Sequence, residues 1–225
     1  MGQVRIVSRS SEEFTDRTQA GQRLAAELSE YAGKSPVVLG IPRGGIIVAR
    51  EIARKLGGSL DVVLAHKLGT PGQPELAMGA VSENGQVFVN ESLASSFGIR
   101  KESIENETLR QLDLMRRRSE SIRKVRPRVA LKGRIVIIAD DGVATGATTQ
   151  VAFQATSLEQ PERLVAAIPV GPEETISRLA GFVDEMVCLR CPPMFAAVGQ
   201  FYLSFRAVED EEMLRVLEEE YKPGQ

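Results

Sequence analysis

The chain has no tryptophan, one histidine and two cysteines among its 225 residues. Each scarcity excludes something. Two cysteines in a chain this long do not make a disulfide scaffold, so the expected compartment is a reducing one, the cytoplasm. Cys188-Leu189-Arg190-Cys191 is a lone CxxC. Zinc normally takes four ligands, and neither a second cysteine pair nor a second histidine is present to supply them. Apolar runs are short, and none approaches the ~20 residues that a membrane span needs. The stretch from Met1 to Ser11 is polar and lacks the apolar core of a secretory signal. Charge of either sign is also lacking in excess. The formal net charge is −2, which gives no general pull toward nucleic acid or an anionic membrane.

What is present is an ordinary globular composition, 43% hydrophobic and 26% charged, in a length that suits one domain with an insertion. The apolar runs alternate with helical patterns. Phe14 to Tyr31 reads as a helix capped at Thr15 or Asp16, with Leu24, Ala25 and Leu28 along one stripe. Val37 to Ile41 reads as a buried strand, Ile46 to Leu56 as a helix stopped by Gly57-Gly58, and Asp61 to Ala65 as a second strand. The pattern returns with strands at Arg134–Ala139, Arg163–Val170 and Val183–Leu189, separated by helices at Ala147–Leu158 and Glu173–Ala180. Such alternation predicts an α/β fold with an open, mainly parallel sheet flanked by helices.

Residues 70–132 interrupt the alternation. Gly79 to Asn90 predicts a hairpin turning at Asn84-Gly85. Arg100 to Lys124 predicts a long polar helix with sparse apolar positions at Ile104, Leu109, Leu112 and Met115. Between Arg100 and Arg134 there are 12 Lys/Arg and 5 Asp/Glu, an excess of 12 − 5 = 7 positive charges. Two readings stand side by side: a solvated helix face, or a mobile basic cover over an anionic ligand.

The most informative stretch is Ile137-Ile138-Ala139-Asp140-Asp141-Gly142-Val143-Ala144-Thr145-Gly146-Ala147-Thr148-Thr149. Two acids end a buried apolar run, and a hydroxyl-rich glycine loop then opens a helix. Amide groups at a helix N-terminus attract a phosphate. Gly146 lets the backbone approach it, and Thr145, Thr148 and Thr149 add hydroxyl donors. The paired carboxylates can accept from ribose hydroxyls, or hold magnesium directly or through water. The loop lacks the Gly-Lys-Ser/Thr ending of a Walker sequence, which argues against a nucleoside triphosphatase.

Asp140 to Thr148 resembles the 5-phosphoribosyl-1-pyrophosphate (PRPP) signature of type I phosphoribosyltransferases. The resemblance implies that Asp140 and Asp141 meet the ribose hydroxyls. It implies that Gly142, Val143, Ala144, Thr145, Gly146, Ala147 and Thr148 form the loop around the 5-phosphate. Ile41-Pro42-Arg43-Gly44-Gly45 is similar to the family's pyrophosphate loop, with Arg43 as cation and Gly44 and Gly45 giving amides. Lys67 matches a basic residue at the end of the next strand. The resemblance further implies a lid at about 70–132, a hood from about 1–31 and 191–225, Mg²⁺ as cofactor, and a homodimer. Pro74 to Ala80 and Asp16 to Gly21 resemble a bacterial branch of the family. One residue departs from the 6-oxopurine enzymes, which place an acid before the Thr-Gly where this chain has Ala144. The implied activity is transfer of the ribosyl 5-phosphate group from PRPP to a nucleobase-like acceptor, with no general base in view. The competing expectation is a PRPP- or nucleotide-sensing regulator on the same fold. Retention of Arg43 and Lys67 favours the enzyme.

Weaker signals stay open at this level. His66 neighbours Lys67, so the two point to opposite faces of a strand. Phe195, Phe201, Tyr202 and Phe205 read either as core or as a surface on which a base stacks. Glu209 to Glu212 and Glu218 to Glu220 read as a solvated acidic helix surface.

Overall fold

A computed structural model describes residues 2–70 and 73–221, without the side chains of residues 73–77 and 118. Nine strands and seven α-helices are seen among these residues. In chain order they are β1 (Gln3–Ser8), α1 (Arg17–Glu27), β2 (Val37–Gly40), α2 (Gly45–Leu56), β3 (Ser59–Val62), β4 (Ala65–Thr70), β5 (Gln73–Ser82), β6 (Val87–Val89), α3 (Glu91–Ser96), α4 (Lys101–Val125), β7 (Ile135–Ala139), α5 (Ala147–Ser157), β8 (Arg163–Val170), α6 (Glu173–Leu179), β9 (Glu185–Arg190) and α7 (Asp210–Glu219).

The larger sheet runs β1-β9-β8-β7-β2-β3, and every adjacent pair is parallel. Its inner strands β2, β7 and β8 are buried and mostly apolar on both faces, where helices cover them. Val38, Ile137, Val165 and Val187 enter one core with Leu24, Ile46, Ile52 and Leu217 from α1, α2 and α7. Val37, Ile138, Ile168 and Met186 enter the other with Phe153, Ile176 and Leu179 from α5 and α6. The sheet is therefore the mainly parallel, helix-flanked one that the alternation predicts.

Two strands differ from the sequence reading. Residues 3–8, grouped with the hood, form β1 and extend the core sheet in register with β9, Gln3 opposite Glu185. The pattern Gln-Val-Arg-Ile-Val-Ser is half polar because an edge strand is only half covered, and this disguises it as a polar terminus. The second core strand ends at Val62, and the chain then leaves the sheet. Lys67 therefore lies on β4, opposite Ala80 in a separate antiparallel sheet β4-β5-β6, and not at the end of a core strand.

The insertion keeps its two expected parts, a hairpin and a long helix. The hairpin turns at Asn84-Gly85, with Gly85 at φ 80°. The long helix α4 is docked. Met115 and Ile122 are fully buried in the first core, and Ile104, Leu112 and Val125 pack against it. Its C-terminal end is tied by ion pairs: Arg123 Nη1 meets Asp61 at 2.7 Å and Arg123 Nη2 meets Glu83 at 2.6 Å. Arg128 pairs with Glu83 and Glu159. Part of the basic excess that suggested a mobile cover is thus matched by internal carboxylates. His66 belongs to the same join, its Nδ1 lying 2.9 Å from Gln111 Oε1 of α4.

Candidate functional site

Two loops meet at the carboxyl ends of β2 and β7, the place where open parallel sheets take ligands. The β2–α2 loop is Ile41 to Gly44 and the β7–α5 loop is Asp140 to Gly146. The Ile41 amide donates to the Ala139 carbonyl at 2.9 Å, which holds the loops together at their roots. Farther out the contact tightens at Gly44. A Cβ there would overlap Asp141 Oδ2, and would lie 2.7 Å from Asp141 Cγ and 2.9 Å from Arg17 Nε. Only glycine leaves room for this approach.

The acid pair is held asymmetrically. Asp140 Oδ1 accepts the Asp141 amide at 2.9 Å, and Oδ2 accepts the Thr149 hydroxyl at 3.4 Å. Burial, followed by the negative charge of Asp141, pushes the Asp140 carboxyl well above the ordinary aspartate range. Asp141 Oδ2 instead accepts from Arg17 Nε at 2.7 Å, with the two side chains only 16% and 10% exposed. The Tyr202 hydroxyl donates to the Asp141 carbonyl at 2.6 Å. Burial, and then Asp141, hold the Tyr202 hydroxyl above the usual tyrosine range, so it is a donor there and not a base.

The loop that follows is built to present amides. Gly146 takes φ 74° as the N-cap of α5, and no side chain caps that end. The first turn of α5 contains no acidic residue, so the amides and dipole are left for an outside anion. Thr145 and Thr148 are exposed on the same turn, whereas Thr149 is buried against Asp140. The outer edge is anchored: Val143 donates to the Val170 carbonyl, the Thr175 hydroxyl donates to the Ala144 carbonyl, and Arg178 donates to the Thr145 carbonyl.

In the other loop the Pro42–Arg43 peptide is cis. Arg43 is half-exposed and sits 3.6 Å from Glu209, the residue that precedes α7. The Gly45 amide donates to the Ile41 carbonyl at 3.0 Å, so it is not free for a ligand. The Gly44 amide has no acceptor among the described residues. The structure therefore brings together Arg43, Gly44, Gly45, Asp140, Asp141 and the 142–148 loop. Lys67 stands on the neighbouring antiparallel sheet.

Arg17 escaped the sequence reading as a site residue, and Tyr202, named there as core or a stacking surface, was not foreseen as a partner of Asp141. The only local signal was the Asp16-Arg17-Thr18 stretch, which has no intrinsic chemistry to single it out. The four C-terminal aromatics divide. Phe201 and Tyr202 are buried, while Phe205 is partly exposed and stacks on Tyr202 with centroids 5.0 Å apart. Cys188 and Cys191 are both buried at the end of β9, with sulfurs 3.7 Å apart. Among the described residues, no group of three or more His, Cys, Asp and Glu side chains is placed to hold a metal ion. The Asp140–Asp141 pair has Arg17 as its one cationic contact among those residues and presents hard oxygen donors. That suits a magnesium ion carried in by phosphate oxygens, not a cage made by the protein.

Comparison with known proteins places the chain in a family. The phosphoribosyl transferase domain model matches residues 10–206. Two Mycobacterium tuberculosis proteins, from strains CDC 1551 and H37Rv, are 42% identical over 209 residues, and their names carry a provisional phosphoribosyl transferase assignment. The match covers 93% of this chain and 47% of theirs, so the chain spans about half the length of the curated relatives it matches. The crystal structure of the protein TT1426 from Thermus thermophilus is 46% identical, covers 92% of this chain and 98% of that one, and superposes with a TM-score of 0.86. The chain belongs to the phosphoribosyl transferase domain family.

Proposed function

We propose that the protein is a phosphoribosyltransferase that takes PRPP with Mg²⁺ and transfers the ribosyl 5-phosphate group to a small nucleobase-like acceptor, releasing pyrophosphate. The observation that carries this reading is the meeting of the two loops at Gly44 and Asp141, with an uncapped helix N-terminus on one side and a half-exposed arginine on the other. The α5 N-terminus with Thr145 and Thr148 takes the 5-phosphate. Asp140 and Asp141 accept from the ribose hydroxyls. Arg43 and the Gly44 amide face the pyrophosphate.

In the reaction the bond between C1 and the pyrophosphate oxygen breaks while the acceptor nitrogen bonds to C1 and gives up its proton to the departing pyrophosphate or to solvent. Positive charge grows on the ribose ring, and negative charge grows on the leaving group. Magnesium, when bound with the substrate, neutralises part of the phosphate charge. The protein adds fixed electrostatics: the Arg43 guanidinium toward the leaving group, and the acid pair beside the ring. Lys67 belongs to the proposal as a second cation, to be reached from β4. The Gly45 amide serves the loop's own structure. No side chain is assigned as general base, since Tyr202 stays protonated and Ala144 stands before the Thr-Gly. The acceptor then carries its own reactive nitrogen, and a 6-oxopurine is disfavoured. A homodimer in the cytoplasm is part of the same proposal. Among the described residues, no helix is long and apolar enough to cross a membrane.

The test incubates the protein with PRPP, Mg²⁺ and a panel of nucleobases and assays pyrophosphate release, with calorimetry of PRPP binding in parallel. Acceptor-dependent release is the expected result. Binding without release for any acceptor would assign the protein to the sensing reading, which the internal partners of Asp141 and Arg43 favour. Absence of PRPP binding would end both readings.

A further inference from the structure

Arg17 is placed by the helix start. Asp16 caps α1 by accepting the Gln19 amide at 2.8 Å, so Arg17 is the first helical residue and its side chain leaves toward the β7–α5 loop. The guanidinium is then gripped on three sides. Nε donates to Asp141 Oδ2 at 2.7 Å, Nη1 donates to the Arg206 carbonyl at 2.8 Å, and the central carbon lies 3.9 Å above the Phe205 ring. A planar cation fixed in this way offers its N–H in one direction, so the carboxylate that accepts it is oriented too. Of the two Asp141 oxygens it is Oδ2 that Arg17 engages, and the Asp140 carboxyl is the other side chain beside this carboxylate. Gly44 faces the same carboxylate with no side chain between.

We propose that Arg17 is a positioning residue of the ribose subsite, holding Asp141 by Oδ2 so that Oδ1 is turned to accept from a ribose hydroxyl. This deepens the PRPP reading and rests on it. It also gives the C-terminal segment a part in ligand binding, because the Arg206 carbonyl and the Phe205 ring hold Arg17 in turn. The competing role is plain charge neutralisation of a half-buried acid, which would support the fold without orienting anything.

Three probes separate these roles. Ribose 5-phosphate carries the ribose hydroxyls, inorganic pyrophosphate carries none, and PRPP carries both parts. Their affinities are measured with Mg²⁺ by calorimetry for the wild type, Arg17→Met and Arg17→Lys, each checked for folding by circular dichroism. Losing one oriented, charge-assisted acceptor should weaken ribose 5-phosphate and PRPP by about tenfold or more in Arg17→Met, with pyrophosphate unchanged. Arg17→Lys keeps the charge without the planar fork and should fall between. If Arg17→Met does not fold, Arg17→Lys carries the same comparison. Equal weakening of all three probes overturns the proposal in favour of a structural role, and loss of pyrophosphate alone overturns it in favour of direct leaving-group contact. A second readout is the cycle with Asp141→Asn. If Arg17 acts through Asp141, the double variant loses no more ribose 5-phosphate affinity than Asp141→Asn alone, whereas additive losses refute it. Wild-type protein that binds neither sugar phosphate sinks the PRPP reading and this role together. Wild-type binding that is untouched in Arg17→Met sinks this role alone.

Discussion

Gly44→Ala adds one methyl group at the tightest point between the two loops. The backbone of Gly44 is at φ −62° and ψ −36°, ordinary helical geometry that alanine adopts without strain. Any effect therefore comes from overlap, and the overlap is with Asp141, at its Oδ2 and 2.7 Å from its Cγ, and with Arg17 Nε at 2.9 Å. Relief has two forms: the carboxylate swings away and loosens its contact with Arg17, or the β2–α2 loop recedes. Overpacking of this kind costs about 1–3 kcal/mol of stability, read as a fall of roughly 2–4 °C in Tm per kcal/mol at this chain length. A carboxylate turned from its place forfeits a charge-assisted hydrogen bond worth about 1.5–3 kcal/mol, which corresponds to about 10- to 150-fold in the Kd for Mg-PRPP. The assay is calorimetry with a thermal melt on the same samples. Gly181→Ala is the control, since a Cβ there meets no heavy atom within 4 Å and its backbone is not in the left-handed region. If Gly44→Ala matched Gly181→Ala in both Tm and PRPP affinity, the two loops would not be in functional contact and the site as described would be wrong.

Other outcomes follow from the same geometry. Asp140→Asn combined with Asp141→Asn should abolish Mg²⁺-dependent PRPP binding while the circular dichroism spectrum stays native; unchanged affinity in calorimetry would remove the acid pair from the site. Arg43→Ala should lower turnover more than it weakens ribose 5-phosphate, since its exposed 3.6 Å contact with Glu209 contributes little to the fold; a matching drop in fragment affinity would reassign it. Met115→Ala, a truncation at a fully buried position of α4, should cost about 2–5 kcal/mol and open the helix to trypsin. In the wild type, cleavage at Arg116 and Arg117 should be the same with and without Mg-PRPP, whereas protection by ligand would restore the mobile-cover reading. Glu83 gives a pH dependence. Burial raises its pKa, but Arg123, Ser119 and Arg128 together lower it below the ordinary glutamate value of 4.5. A depressed folded-state value means the stabilisation is complete above the unfolded pKa and is lost as pH falls through the folded one. Glu83→Gln should therefore flatten the loss of Tm on acidification below about pH 4.5, and an unchanged acid limb would show that the pairs with Arg123 and Arg128 do not couple to folding.

The core strands were legible because each is a short apolar run between breakers, and Arg163–Val170 was bounded to the residue. The acid pair and its loop were legible because strand, carboxylates, glycine and hydroxyls follow one another in the chain. Residues that join the site from elsewhere were not. Arg17 reaches Asp141 across 124 positions of sequence, and nothing in α1 marks one arginine as different from its neighbours. β1 was missed because its partner comes so much later, and Lys67 was misplaced because the chain changes sheets at an apolar stretch with no glycine or proline to announce it. Part of the basic excess of residues 100–134 turns inward, because Arg123 on α4 and Arg128 beyond it meet Asp61, Glu83 and Glu159, acids distant in sequence, whereas Arg110, Arg116 and Arg117 stay exposed.

The outermost strand of the sheet has a consequence for how the molecule is made. Of the six strands in that sheet β1 is synthesised first, yet it can pair only with β9, since Gln3 waits for Glu185, a separation of 185 − 3 = 182 residues. Until then β8, with Leu164 to Val170 wholly apolar and buried in the finished protein, has an open edge on the side that β9 will fill. Unpaired apolar edges recruit other chains, so the growing polypeptide is at its stickiest between the emergence of β8 and that of β9. Chains released shortly before residue 185 should bind chaperones or aggregate far more than chains released after residue 190. The small strand at the edge then acts as the closing seam of the sheet, and the half-polar sequence that hid it is what keeps the finished border from sticking.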